Sequence, residues 1–143
     1  MKIFLIIGLS LIGYSCAVKP EPLAYGQDAC YVCKMTLVDK KFGAEIVTRK
    51  GKIYKFDDTN CMINFHNSGV EPEENMAERL VIDFDNPANF INAQEAFYMK
   101  SNHVQSPMGG QVAAFVTMDQ FKRYNKELNG ILLSWGEMVT AFK

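Results

Sequence analysis

The segment Asp28-Ala29-Cys30-Tyr31-Val32-Cys33-Lys34-Met35 puts two thiols and a thioether within six residues. Soft sulfur donors select Cu(I) over the oxygen-seeking divalent ions, so this CxxCxM reads as a copper site. It precedes the first run of strand character and so falls on a loop, where donors can open to pass a metal on without breaking a core. Other chemistries compete for the same residues. A local Cys30–Cys33 disulfide with Met35 in the core suits an oxidising compartment. A thiol-disulfide oxidoreductase would use the same pair, although that motif opens a helix after a buried strand and Tyr25-Gly26-Gln27 precedes this one. Zinc in a closed site of Cys30, Cys33, Cys61 and His66 is a third option, weakened by the lack of a second CxxC.

A second group of donors lies in Ser101-Asn102-His103-Val104-Gln105-Ser106-Pro107-Met108-Gly109-Gly110. Pro107 and the paired glycines favour a turn that projects Met108 outward, and a loop is a poor place for a methionine used only as core filler. His103 adds an imidazole suited to copper, though it also reads as a solvated loop histidine. Cys61 follows Asp57-Asp58-Thr59-Asn60 at the start of a helix. Free cysteine is among the most buried residue types, so Cys61 is expected to be a packed thiol, with an auxiliary ligand as the alternative. His66 and His103 are the only imidazoles. No Ser/His/Asp set, phosphate-binding glycine loop or oriented carboxylate pair accompanies them, so a binding protein is expected and not an enzyme.

The elements that must position these groups follow an order that occurs twice. Ala44 to Thr48 and Ile53 to Phe56 alternate as strands about a turn at Arg49 to Lys52. Asp57 to Asn60 then offers an N-cap to a helix over Cys61 to Asn67, which Gly69 closes. A strand follows over Arg79 to Phe84. In the second half, strands at Ala96 to Lys100 and Val112 to Val116 precede a helix from Met118 to Leu128. Thr117 and Gln120 form its capping box, Phe121, Tyr124 and Leu128 its apolar stripe, and Gly130 its stop. A strand over Ile131 to Trp135 ends the pattern. The expected class is α+β, two similar ββαβ halves (about 27–86 and 95–143) with mainly antiparallel sheets, joined by Pro87 to Gln94.

At 143 residues the chain is bounded at one domain or two half-domains sharing a core. Fifteen Lys and Arg against sixteen Asp and Glu give a formal charge of −1, which provides no basic field to attract nucleic acid. Lys2 and the apolar run Ile3 to Ile12 have the form of an export signal over 1–15, too short to span a bilayer. Ser15-Cys16 resembles a bacterial lipobox, in which Cys16 takes a lipid and becomes the mature N-terminus. Two or more acyl chains hold a protein on the membrane, since each buried methylene is worth about 0.8 kcal/mol. Residues 16–26, with Pro20, Glu21 and Pro22, then read as an extended polar tether. The expected location is a membrane surface outside the cytoplasm.

Taken together, Ser15-Cys16, the CxxCxM of Cys30, Cys33 and Met35, Phe56-Asp57-Asp58 leading to Cys61-Met62, and Ser106-Pro107-Met108-Gly109-Gly110 before Ala113-Ala114-Phe115 resemble the NosL family. The resemblance spans the mature chain. It implies a non-catalytic, membrane-anchored lipoprotein that carries Cu(I) to apo nitrous oxide reductase, in concert with an ABC-type transporter complex. It also implies two ββαβ halves, with the family's first metal motif on Cys30, Cys33 and Met35 and its second methionine on Met108. The family often has glycine at the position of Lys34.

Overall fold

A computed structural model describes residues 19–142, so the expected export signal and the lipidated Cys16 lie outside the described residues. Within them the first half forms β1 (Ala44–Thr48), β2 (Ile53–Phe56), α1 (Thr59–Ser68) and β3 (Met76–Ile82), extended by β4 (Phe90–Asn92). The second half forms β5 (Phe97–Lys100), β6 (Val112–Phe115), α2 (Met118–Leu128) and β7 (Ile131–Leu133), and ends in α3 (Trp135–Ala141). The sheets run β2-β1-β3-β4 and β6-β5-β7 with every pairing antiparallel. In each half the first strand is therefore central, flanked by its hairpin partner on one side and the strand after the helix on the other. The α+β class with two similar ββαβ halves is what the sequence pattern predicts.

Two elements depart from that pattern. The last strand stops at Leu133, because the Ser134 side chain accepts from the Glu137 amide and the Glu137 carboxylate accepts from Ser134, a capping box that starts α3 at Trp135. The joint after Pro87 is not wholly irregular either. Residues 90–92 pair with Leu80, Val81 and Ile82, covering the edge that β3 would otherwise leave open.

One core serves both halves. Ala44, Ile46, Tyr54, Phe56 and Val81 from the first sheet meet Cys61, Met62, Ile63 and Phe65 of α1, and Tyr98, Val112 and Ala114 of the second sheet close over them. Strand alternation sends Met99, Ala113 and Phe115 to the opposite face, where Phe121 of α2 covers them. The halves are also joined by polar contacts. The Phe84 amide donates to the Ala114 carbonyl at 2.8 Å. The Gln120 amide group donates to Asp83 and Asp85, and the Tyr124 hydroxyl to Asp85.

The outer face of β1 carries Glu45, which is fully buried. Its cover is the chain expected to be a free tether. The Glu21 amide donates to Glu45 at 3.0 Å, Leu23 packs on the core, and the Tyr25 hydroxyl donates to the Lys40 carbonyl. A polar tether over 16–26 is thus replaced from Glu21 onward by a docked strap, since Glu45 and Lys55 give that face partners for its backbone and carboxylates. Ammonium–carboxylate contacts tie Lys55 to Asp28 at 2.8 Å and to Glu21 at 3.5 Å. Glu45 keeps one carboxylate oxygen without a partner, and burial pushes its carboxyl up to about 7. No helix among the described residues is long and apolar enough to cross a membrane.

Candidate metal centre

The strap runs into the CxxCxM turn, which two sets of backbone bonds fasten down. The Lys34 amide donates to the Cys30 carbonyl and the Cys30 amide to the Met35 carbonyl, closing a tight loop between the paired residues Ala29 and Thr36. The Tyr31 amide donates to the Lys55 carbonyl at 2.8 Å, which fixes the loop against β2. Lys34 sits at φ 64, a left-handed conformation that favours glycine. Its ammonium lies over the Tyr31 ring, 4.4 Å from the centroid, and donates to the Tyr31 carbonyl, contacts that help offset the backbone cost.

β2 ends at Phe56 directly beneath this turn, so the next residues fall beside the thiols. Asp57 follows the strand. Asp58 adopts an extended conformation, and its side chain accepts from the Asn60 amide, which begins α1. Cys61 then lies in the first turn of the helix, on the face turned inward.

The result is a group of four. The sulfurs of Cys30, Cys33 and Cys61 and a carboxylate oxygen of Asp57 all lie within 4.8 Å of one another. The three cysteines are free thiols, so the local disulfide is not what this structure contains. Cys61 is a packed thiol, as expected, and a member of the cluster as well. Asp57, which sequence reasoning treated only as part of a helix cap, occupies the fourth position. Its Oδ2 faces the Cys33 thiol at 3.4 Å, and its buried Oδ1 has no partner. His66 is not in the group: its ring packs edge-on to Trp135 and faces Glu73, so a Cys3His set is replaced by Cys3Asp.

Thiols this close share protons unequally. The Cys61 thiol donates to Cys30 and the amides of Cys33 and Asp57 face the same sulfur, which brings Cys30 down to about 6. Burial first, and then its hydrogen bonds to Cys30 and Asp57, push Cys33 up to about 11. Cys61, as the donor to Cys30, is held well above the ordinary thiol range. Of the three, Cys30 is therefore the thiol whose proton leaves most readily.

The remaining predicted donors lie toward solvent. Met35 and Met108 are 54% and 37% exposed, a state that costs apolar side chains their burial and leaves both thioethers approachable. Met108 is carried to α1 by its backbone, whose amide donates to Asp58 at 3.1 Å. His103 is exposed on the same loop and is not one of the four clustered residues.

An α+β scaffold that gathers three thiols and a carboxylate within 4.8 Å of one another defines a protein built around a soft, sulfur-rich site. Residues 24–142 match the NosL family, and the chain belongs to it. Its fold is similar to the crystal structure of the copper chaperone NosL from Shewanella denitrificans, with a TM-score of 0.69 at 20% identity, over 84% of this chain and 95% of that one. No match is found among curated protein sequences.

Proposed function

We propose that this protein is a copper metallochaperone that binds Cu(I) at Cys30 and Cys33, with Cys61 behind them and Met35 and Met108 as thioether ligands toward solvent. The observation that carries this reading is the convergence of three thiols within 4.8 Å of one another on a loop and a helix start. Thiolates and thioethers are the donors Cu(I) prefers. Cys30 gives up its proton most readily, and a proton must also leave Cys33 before it can ligate. Release then proceeds by ligand exchange. A partner's thiolate, imidazole or thioether replaces an exposed methionine first, so the ion passes through a shared complex without entering water. His103, exposed on the Met108 loop, is an auxiliary donor in this reading.

Family membership supports a non-catalytic role in maturing nitrous oxide reductase outside the cytoplasm, with apo nitrous oxide reductase as the acceptor and an ABC-type transporter complex as a further partner. The lipobox-like Ser15-Cys16 supports attachment to the membrane through a lipid on Cys16. Fractionation of Cys16→Ser tests the anchor: the variant is expected in the soluble fraction with copper affinity unchanged, and a variant that stays on the membrane refutes it.

Asp57 favours a second reading. Three thiolates and a carboxylate also make a closed tetrahedral set for Zn(II). Anaerobic titration against a colorimetric Cu(I) chelator, with and without excess Zn(II), separates the two. About one equivalent of Cu(I) per chain, retained against zinc, is expected. Displacement of Cu(I) by zinc overturns the copper assignment.

A further inference from the structure

Asp58 is fully buried, yet its carboxylate is engaged on both oxygens. Oδ1 accepts the Asn60 amide and caps α1. Oδ2 accepts the Ser106 hydroxyl at 2.6 Å and the Met108 amide at 3.1 Å, partners that lie 48 and 50 residues further along the chain. The Ser106 oxygen in turn accepts the Gln111 amide, so the turn between Ser106 and Gln111 is gathered on one carboxylate. The approach is close. A Cβ at Gly110 would stand 2.8 Å from the Asn60 Cβ and 3.2 Å from the Asp58 Oδ1, which leaves room only for glycine. Asp58 is bonded in sequence to Asp57 and caps the helix that carries Cys61, so the loop it holds is tied to the same segment that supplies two of the four clustered residues.

We infer that Asp58 is a positioning residue, which clamps the Ser106–Gly110 loop of the second half onto the start of α1 and so brings the Met108 thioether to the copper held by the first half. The inference rests on the reading of Met108 as a copper ligand. The clamp supplies what a loop methionine lacks, a fixed backbone. A carboxylate accepting charge-assisted bonds from an amide and a hydroxyl in a buried place is also a stronger tether than neutral bonds. Removing it should act as loss of an outer partner does at other metal sites, which costs about 10- to 100-fold in affinity.

Asp58→Asn isolates the clamp. Asparagine caps a helix as well as aspartate does, but it has one acceptor oxygen in place of two. With that oxygen on the Asn60 amide, its NH2 faces the Met108 amide donor against donor, while the Ser106 hydroxyl can turn to accept from it. Cu(I) affinity by chelator competition and the count of sulfur neighbours by X-ray absorption are measured for wild type, Asp58→Asn, Met108→Ala and the double variant. Each single variant is expected to lose about 10-fold or more and one sulfur neighbour, and the double variant no more than Met108→Ala alone. Ser106→Ala, which deletes one donor and leaves Asp58 charged, should give a smaller loss in the same direction and keeps the test open if Asp58→Asn folds poorly. Losses that multiply in the double variant, or an unchanged sulfur count in Asp58→Asn and Ser106→Ala while Met108→Ala loses one, overturn the clamp. A Met108→Ala variant with wild-type affinity instead overturns the ligand reading on which it rests.

Discussion

Copper loading should release a countable number of protons. Cys30 lies at about 6 and Cys33 at about 11, so between these values Cu(I) held by both sulfurs displaces one proton, from Cys33. The affinity should then rise about tenfold per pH unit, roughly 1.36 kcal/mol, across that window. A thioether carries no proton, so Met35 and Met108 add nothing to the slope. If Cys61 also ligates as a thiolate, its raised proton affinity adds a second proton and the rise becomes about a hundredfold per unit. Below about 6 the slope steepens by one further proton as Cys30 titrates. The assay is chelator competition at several pH values, with a chelator whose own affinity is flat there. Cys33→Ser should flatten the profile by one proton. A wild-type affinity independent of pH between the two values would refute the proton accounting and remove Cys33 as a thiolate ligand.

Cys61→Val should remove the donor to Cys30 and raise the midpoint of thiolate ultraviolet absorbance from about 6 toward the ordinary thiol value; an unmoved midpoint contradicts the cause assigned to it. Glu45 is raised in the fold from 4.5 to about 7, so the stability it contributes is full below 4.5 and is lost as pH rises through about 7. That loss is worth about 3 kcal/mol. Glu45→Gln, which keeps an acceptor for the Glu21 amide, should melt higher than wild type at pH 8 and nearly level with it at pH 5; parallel melting curves at both refute the burial argument. A Cβ at Gly130 would lie 2.8 Å from the Lys100 carbonyl and 2.4 Å from Met99. Gly130→Ala should therefore cost about 1–3 kcal/mol in thermal unfolding and spare copper affinity, and an unchanged melting point would show that the close approach yields freely.

Elements whose signals are local were legible. The β1–β2 hairpin lies where the alternation and its turn put it, and the Thr117 and Gln120 capping box starts α2 as read. Ser134 and Glu137 carry the same signal, but the apolar run through Trp135 masks it, because periodicity over five residues does not separate a strand from a helix start. β4 has three residues and no pattern of its own. It exists because β3 offers an open edge. For Cys61 the inward face of α1 was predictable, but not that the CxxCxM turn arrives over that face. Asp57 shows the same gap: a residue beside a helix cap has an obvious local task, and its place in the cluster follows only from β2 ending under the turn. Met108 reads as a loop methionine in sequence, and its link to the first half depends on a carboxylate fifty residues away.

Lys55 holds the strap and the metal turn from opposite ends of one residue. Its ammonium grips Asp28 and Glu21, and its carbonyl holds the Tyr31 amide. In mechanical terms this is a strain relief. A pull along the chain ahead of residue 19 loads the Glu21 contact with Glu45 and the Lys55 ion pairs before it reaches Cys30. The force passes into β2 and the sheet, so the sulfurs should keep their spacing if the chain is held through a lipid on Cys16 as proposed.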